Sequence, residues 1–350
     1  MTLLPPVMLA PLGALYGAVT RTRLAMYRQG VLKISQLAAP VISVGNITTG
    51  GTGKTPLVEY IARAVAQYRK KVCVLTRGYG REKSGRVVVS DGEHVLANEK
   101  EAGDEPRLLA EKLIGIAAVI SDANRFAAGQ WAMTELGSEV FVLDDGFQHL
   151  NLQRDLNIVT IDATRPWGDR RLLPWGRLRE PTRGLARADC VVITRADQSE
   201  GVLALQEEIK GLVPNGKLFT ARMITRGLRH VGLNFAESHG GPSDRIAPRV
   251  GAFCAVGNPA SFIKQLKDAG YDPVSTTVFP DHHRYNEYEI TSIVKNAKAA
   301  GGSSLITTAK DAVKLREFSF DLPCHVLEIE IRIDDESCFL EMIRARIRVR

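Results

Sequence analysis

Apolar positions along the chain form two kinds of run that alternate. Short continuous ones have strand length: "VISVG" (41–45), "KVCVLT" (71–76), "AAVI" (117–120), "VFVLD" (140–144), "NIVTID" (157–162) and "CVVITR" (190–195). Between them, "KTPLVEYIARAVAQ", "EPRLLAEKL" and "ANRFAAGQWAMTEL" space their apolar residues as one face of a helix. Strands apolar throughout and separated by helices predict a parallel sheet covered on both faces. After about residue 200 the pattern weakens. "KLFTARMITRGLRHVG" predicts extended ribbons and "ESHGGPSDRIAPR" an exposed loop. A second α/β series then follows: "RVGAFCAVG", "NPASFIKQLKDAG", "VSTTVFP", "NEYEITSIVKNAKAAG", "SSLITT" and "CHVLEIEI". The expected division is a first domain over 1–222 and a smaller α/β domain over 223–330, joined by an extended linker. A C-terminal helix over 331–350 has a packing partner that the pattern leaves open.

The N-terminus reads differently. From Leu3 to Val19 the chain is uncharged, but this stretch is shorter than the roughly 20 residues of a membrane span, and Pro5, Pro6 and Pro11 interrupt it. Leu12, Leu15, Tyr16 and Val19 follow helical spacing, and Arg21, Arg23 and Arg28 come after them. A secretory signal would carry its positive charge before the apolar part. Two readings stay open here: a helix adsorbed in a membrane interface, or one docked on the protein's own core.

Composition narrows the class. With 350 residues, 45% hydrophobic and 24% charged, the chain has the make-up of a globular protein of two domains. A net charge of +7 favours an anionic partner without choosing among nucleotide, phosphorylated substrate, nucleic acid and acidic membrane. The five cysteines form no CxxC pair and read as reduced core residues.

Chemistry enters at "GNITTGGTGKTP" (45–56), between a buried strand and an amphipathic helix. A phosphate-binding loop G-x-x-x-x-G-K-[ST] turns backbone N–H groups toward a phosphate at a helix N-terminus. Thr48 stands where the first glycine belongs, and Gly50 and Gly51 supply the turn instead. The expected nucleotide contacts are Thr48, Thr49, Gly50, Gly51, Thr52, Gly53, Lys54 and Thr55, with Lys54 on the β/γ-phosphates and Thr55 on Mg²⁺. "VFVLDDGFQH" ends a buried run in Asp144 and Asp145, the place where such proteins keep a metal-binding carboxylate. These features predict an α/β fold with a P-loop NTPase-like parallel sheet, binding a nucleotide and Mg²⁺.

Further polar clusters sit at strand ends, where open α/β sheets bind ligands. They bring Arg77 and Tyr79 ("TRGYGR"), Asp104 ("AGDEP"), Asn124 and Arg125 ("SDANR"), Gln148 and His149 ("GFQH"), and Arg179 and Glu180 ("GRLREP"). Seven arginines between Arg165 and Arg187 read as either a solvated basic face or a groove for a second anionic substrate. "FPDHHRYN" adds Asp281, His282 and His283.

Taken together and in this order, "GNITTGGTGKTP", "TRGYG", "GDEP", "SDANR", "DDGFQH", "LREP", "DHHRYN" and "KDAVK" resemble the tetraacyldisaccharide 4′-kinase family across nearly the whole chain. The resemblance implies ATP- and Mg²⁺-dependent phosphorylation of the 4′-hydroxyl of a tetraacyldisaccharide 1-phosphate in lipid A biosynthesis. It places the protein at the cytoplasmic face of the inner membrane, peripheral or monotopic, which turns the N-terminal segment toward the interfacial reading. It implies Asp104 as the base, with His282 tuning it and Lys54 holding phosphate. Thr55, Asp144 and Asp145 are the implied metal ligands. Arg77, Tyr79, Asn124, Arg125, Gln148, His149, Arg179 and Glu180 are the expected acceptor-binding residues. With Asp104 and His282 assigned to different domains, their pairing would require closure. Where many members read T-E-K-D-A, this chain has Ala309 in place of the glutamate. The alternative is a P-loop regulatory ATPase bound at the membrane surface, although Thr49 stands where such switches carry an early lysine. No nucleic-acid module is present, and oligomeric state is not legible.

Overall fold

The computed structural model describes residues 6–232 and 246–348; most of the loop expected at "ESHGGPSDRIAPR" lies outside the described residues. In chain order the strands are β1 (Val41–Gly45), β2 (Val72–Thr76), β3 (Val87–Ser90), β4 (Ala117–Ser121), β5 (Val140–Asp144), β6 (Leu156–Asp162), β7 (Cys190–Thr194), β8 (Lys217–His230), β9 (Arg249–Cys254), β10 (Asp272–Val278), β11 (Ser304–Thr308) and β12 (Cys324–Ile333). The helices are α1 (Pro6–Arg28), α2 (Lys54–Ala66), α3 (Glu99–Ala102), α4 (Asp104–Lys112), α5 (Arg125–Glu135), α6 (Val202–Leu212), α7 (Pro259–Asp268), α8 (Glu287–Ala299), α9 (Ala309–Ala312) and α10 (Glu336–Ile347).

The chain divides into two compact units, and neither is one continuous segment. The first comprises Met1–Arg77, Asp122–Met223 and Ile331–Arg350; the second comprises Gly78–Ser121 and Ile224–Glu330. The expected division at 222 therefore coincides with one crossing point. It misses that 78–121 belongs with the second unit, and the partner it left open for 331–350 is the first. Hydrophobic period along the chain reports local structure, and an excursion into another core leaves no mark on it. The expected extended linker is largely β8, a strand of 14 residues.

In the first unit the strand order is β8-β7-β6-β1-β5-β2, and each adjacent pair in it is parallel. Every residue of β1, β2, β5, β6 and β7 is buried, as helices on both faces require. Ile47, Phe147, Val159, Ile161, Trp167, Leu185, Val191 and Ile209 form one core cluster there. The C-terminal helix α10 finds its partner in this unit. Tyr60 of α2 donates to Glu336 Oε1 at 2.6 Å, and its ring centroid lies 6.1 Å from that of Phe339.

Helix α1 is longer than its apolar spacing suggested, and it seats by its small residues. A Cβ on Gly17 would come within 2.6 Å of Leu172 Cδ1, and one on Gly13 within 3.4 Å of Trp175 Cβ. The outward side shows Leu12 (47% exposed), Leu15 (63%) and Val19 (58%), while Tyr16 is half-buried. No helix among the described residues is long and apolar enough to cross a membrane.

In the second unit β10-β9-β11-β12 forms a parallel set, and β3 pairs with β4 antiparallel. Its helices begin on caps legible in sequence. Asn258 accepts from Ser261 N ahead of α7, and Asn286 with Glu289 closes a capping box on α8. Phe253, Ile290, Ile293, Leu305, Leu315 and Val326 fill one side of this sheet; Val250, Cys254, Phe262, Leu266 and Ile306 fill another cluster. All five cysteines are free, and only Cys338 is partly exposed.

Candidate active site

In the first unit the parallel register of β1 and β5 sets Val44 opposite Asp144, so the loop after β1 and the acids after β5 leave the sheet at one edge. The loop carries its own scaffold. Thr52 is buried, and its hydroxyl lies 2.9 Å from Asn46 Nδ2 and 2.8 Å from Thr160 Oγ1. Thr194 donates to Thr52 O at 2.9 Å, and Arg195 donates to Gly51 O at 2.9 Å while paired with Asp162 at 2.6 Å. Across the loop, Thr49 N donates to Arg177 O at 2.8 Å, and the Arg177 guanidinium returns two bonds to Thr49 O at 2.8 and 3.0 Å. Gly53 caps α2 in the left-handed region (φ 80), and a Cβ there would meet Met223 Cε at 2.6 Å. Only glycine both turns and fits at that point. Thr48 forms a bridge with Leu178, so the position lacking its glycine is held by strand-like pairing.

Lys54, the first residue of α2, lies 3.5 Å from Asp145 Oδ1, and Arg179 Nη1 reaches both carboxylate oxygens of Asp145 at 2.7 Å. Burial works to raise the Asp145 carboxyl, but Lys54 and Arg179 outweigh it and bring it down to about 2. Asp145 adopts a left-handed backbone (φ 53). Asp144 is 1% exposed and accepts from Thr76 Oγ1 at 3.2 Å. Thr55 is half-buried at the start of α2. Asp145 is thus met by cations of the chain itself, whereas Asp144 is held by the Thr76 hydroxyl.

Of the expected acceptor residues, several form a second cluster in this unit. Arg125 is 5% exposed, and its Nη1 lies 3.4 Å from His149 Nδ1. A guanidinium only donates, so Nδ1 accepts and the neutral imidazole carries its proton on Nε2. Burial, followed by Arg125, Arg154, Arg23 and Arg77, pushes His149 down to about 3. Burial and Arg77 bring Arg125 down to about 10. His149 Nε2 is buried without a hydrogen-bond partner among the described residues. Gln148 donates to Asn46 O and Glu180 Oε1, both at 2.8 Å, and Glu180 pairs with Arg187 at 2.8 Å. Asn124 caps α5 by accepting from Ala127 N at 3.1 Å. Glu180 and Asn124 are therefore engaged within the chain, whereas Arg77 is exposed.

Asp104 and His282 both belong to the second unit, and His282 Nδ1 lies 3.4 Å from Asp104 Oδ2. The closure expected to bring them together is not needed: the segment carrying "GDEP" is built into the same unit as "DHHRYN". Asp104 opens α4, and Lys314 lies 3.8 Å from the same oxygen. Burial opposes ionisation of Asp104, yet the His282 bond and the charges of Lys314 and Lys310 outweigh it and hold the carboxyl below the usual range. His282 sits in the left-handed region (φ 65), with the Tyr79 ring 5.4 Å from its own. Tyr79 is placed by Gly78 (φ 67), where a Cβ would come within 2.0 Å of Ser121 Oγ and 2.6 Å of Ala102 O.

His283 turns away into structure. It stacks on Phe279 at 4.4 Å and pairs with Glu289 at 2.9 Å, the acid that closes the α8 capping box. Lys310 lies 3.0 Å from Glu105 Oε1 and 2.9 Å from Asp281 Oδ1, so its charge is met with Ala309 at the glutamate position. Sequence reasoning did not single out Arg195, Lys310 or Lys314. For the lysines a signal was present: "KDAVK" spaces them one helical turn apart.

Over residues 6–348 the chain matches the family described as tetraacyldisaccharide-1-P 4′-kinase. The tetraacyldisaccharide 4′-kinase of Geobacter metallireducens is 41% identical over 314 residues, covering 88% of both chains. That of Desulfotalea psychrophila is 37% identical, covering 90% of this chain and 89% of the relative. The crystal structure of LpxK from Aquifex aeolicus in complex with ATP superposes with a TM-score of 0.77 at 32% identity, covering 98% of this chain and 99% of that one. The chain belongs to the tetraacyldisaccharide 4′-kinase family.

Proposed function

We propose that the protein transfers the γ-phosphoryl group of ATP to the 4′-hydroxyl of a tetraacyldisaccharide 1-phosphate, a step of lipid A biosynthesis. The observation that carries this reading is one chain that presents a glycine-turned loop ending in Lys54 and, elsewhere, an Asp104–His282 pair, within a family match running from residue 6 to 348.

Phosphoryl transfer rests on positioning and charge neutralisation more than on covalent chemistry. The loop amides between Thr48 and Thr55 and the α2 N-terminus bind the ATP phosphates, and Lys54 meets the β/γ oxygens. Thr55 and Asp144 offer the hard oxygen donors that Mg²⁺ takes alongside phosphate oxygens and water, with Asp145 beside them. When bound, the ion supplies neutralisation of the charge on the β- and γ-phosphates. Asp104 takes the proton of the 4′-hydroxyl as that oxygen bonds to the γ-phosphorus and the bond to ADP breaks. His282 orients the Asp104 carboxylate.

The acceptor's 1-phosphate suits the His149 cluster, where Arg77 and Arg125 bring positive charge and the buried Nε2–H of His149 awaits an acceptor. Arg179, Gln148 and Glu180 shape the wall beside the nucleotide loop, Asn124 fixes the turn carrying Arg125, and Tyr79 supports His282. The outward Leu12, Leu15 and Val19, with Arg21, Arg23 and Arg28 following, would rest helix α1 in the cytoplasmic leaflet of the inner membrane, where the acyl chains of the acceptor reside.

Incubation with γ-labelled ATP and the disaccharide lipid tests the proposal. Label on the lipid is expected. ATP hydrolysis without lipid labelling would instead support a regulatory ATPase at the membrane surface.

A further inference from the structure

Lys310, the second residue of α9, is mostly buried, and its Nζ lies 2.9 Å from Asp281 Oδ1, 3.0 Å from Glu105 Oε1 and 3.2 Å from His282 Nε2. An ammonium group has three protons to donate and nothing to accept with. The His282 nitrogen facing it must therefore be the lone-pair nitrogen. The ring proton is left on Nδ1, which lies 3.4 Å from Asp104 Oδ2. We propose that Lys310 is a positioning residue for phosphoryl transfer: by donating to Nε2 it holds His282 in the Nδ1–H tautomer, so that the ring presents a donor and not a lone pair to Asp104.

The other tautomer would set a lone pair against a carboxylate oxygen, and the pair would separate or rotate. The Tyr79 ring, tilted with its centroid 5.4 Å away, packs against the imidazole that would have to move. Charged and titratable groups face this arrangement from every side: Asp104 and Glu105 on α4, Tyr79, Asp281 beside His282, and Lys310 and Lys314 around α9. Burial works to lower Lys310, but Glu105 and Asp281 outweigh it and raise it above the ordinary lysine range, so it stays a donor throughout the working pH. Lys314 addresses Asp104 Oδ2 together with His282, and neither contact is made to Oδ1. That division leaves Oδ1 as the oxygen for the acceptor hydroxyl.

The inference rests on the assignment of Asp104 as the base. It is tested by ¹⁵N correlation spectra of histidine-labelled protein, with His282 assigned through His282→Gln, alongside steady-state kinetics. Wild-type His282 is expected as the Nδ1–H tautomer; an Nε2–H ring in the wild type overturns the proposal without any Lys310 variant. Lys310→Met should lose the single tautomer and fall about 10-fold in kcat, with KM for ATP and lipid within about twofold, and Lys310→Arg should restore most of kcat. A lysine that only neutralised Glu105 and Asp281 would lower the Tm of Lys310→Met and leave tautomer and kcat unchanged, which also overturns it. Should that variant not fold, Lys310→Met with Glu105→Gln removes one of the two uncompensated carboxylates and carries the same readouts. Full turnover in Asp104→Asn would remove both readings. An inactive Asp104→Asn beside a fully active Lys310→Met would remove only this one.

Discussion

Two histidines, one in each unit, sit against a buried cation and reach opposite protonation geometries. In the first unit Arg125 faces His149 Nδ1, leaves the proton on Nε2, and together with burial and three further arginines pushes the ring down to about 3. In the second, Lys310 faces His282 Nε2 and leaves the proton on Nδ1, where Asp104 receives it. The cation performs the same act in both places, yet the consequences differ because of what lies on the far side of the ring. His149 finds no acceptor for its N–H among the described residues and sits among positive charge, a setting that favours an anion. His282 faces a carboxylate, so its N–H is spent within the protein on Asp104, the proposed base. Both arrangements differ again from the glycine-turned loop after β1, which side chains such as Arg177, Arg195 and Thr52 hold in shape.

The comparison can be broken at its strongest point first. Lys54→Ala should cost about 10³-fold in lipid phosphorylation, the scale of losing a charge aimed at a developing anion; near-normal label transfer would remove the loop from the phosphate site. Asp104→Asn should cost on the order of 10²-fold in kcat while ATP affinity changes little, read by turnover beside nucleotide binding. On α1, Leu15→Asp with Val19→Asp should reduce partitioning onto anionic vesicles by about 10-fold or more, given about 1.5–3 kcal/mol for each large apolar side chain buried. Unchanged sedimentation with vesicles would return the helix to a purely internal role.

The smallest effect sharpens the histidine comparison itself. His149 has its folded value depressed to about 3, so between the unfolded value near 6.5 and about 3 the unfolded chain binds a proton that the native state does not. Its contribution to stability is complete above about pH 6.5 and declines as pH falls through that window. His149→Gln should flatten that part of the stability profile, measured as Tm against pH. Asp145, depressed to about 2, follows the carboxylate sign: its contribution is present above about pH 4 and is lost as pH falls toward 2.

Much of the first unit could be read directly. The continuous apolar runs coincide with β1, β2, β5, β6 and β7 to within a residue or two, because a strand buried on both faces is apolar at nearly every position and admits a polar residue such as Thr160 where a partner meets it. The loop and the acids after β5 were legible for the same reason, standing out as polar chemistry at the ends of such runs. Short β3 escaped notice because four residues carry too little pattern, although three of them are buried, and so did α6, where only Leu205 and Ile209 are buried and weak burial imposes weak periodicity. His282 and His283 could not be told apart in "DHHRYN"; a left-handed turn at His282 sends one ring to Asp104 and the other onto Phe279.

Sequence by itself determined the alternation of strands and helices, the phosphate loop despite Thr48, the paired acids and the family, because each is encoded by neighbours a few residues apart. Tertiary structure decided what joins distant segments. It placed 78–121 with 224–330 in one unit, set Asp104 against His282 across 178 positions, and brought α10 onto α2. It also chose each histidine's tautomer, since a proton's place on an imidazole is settled by whichever donor or acceptor the fold carries to it.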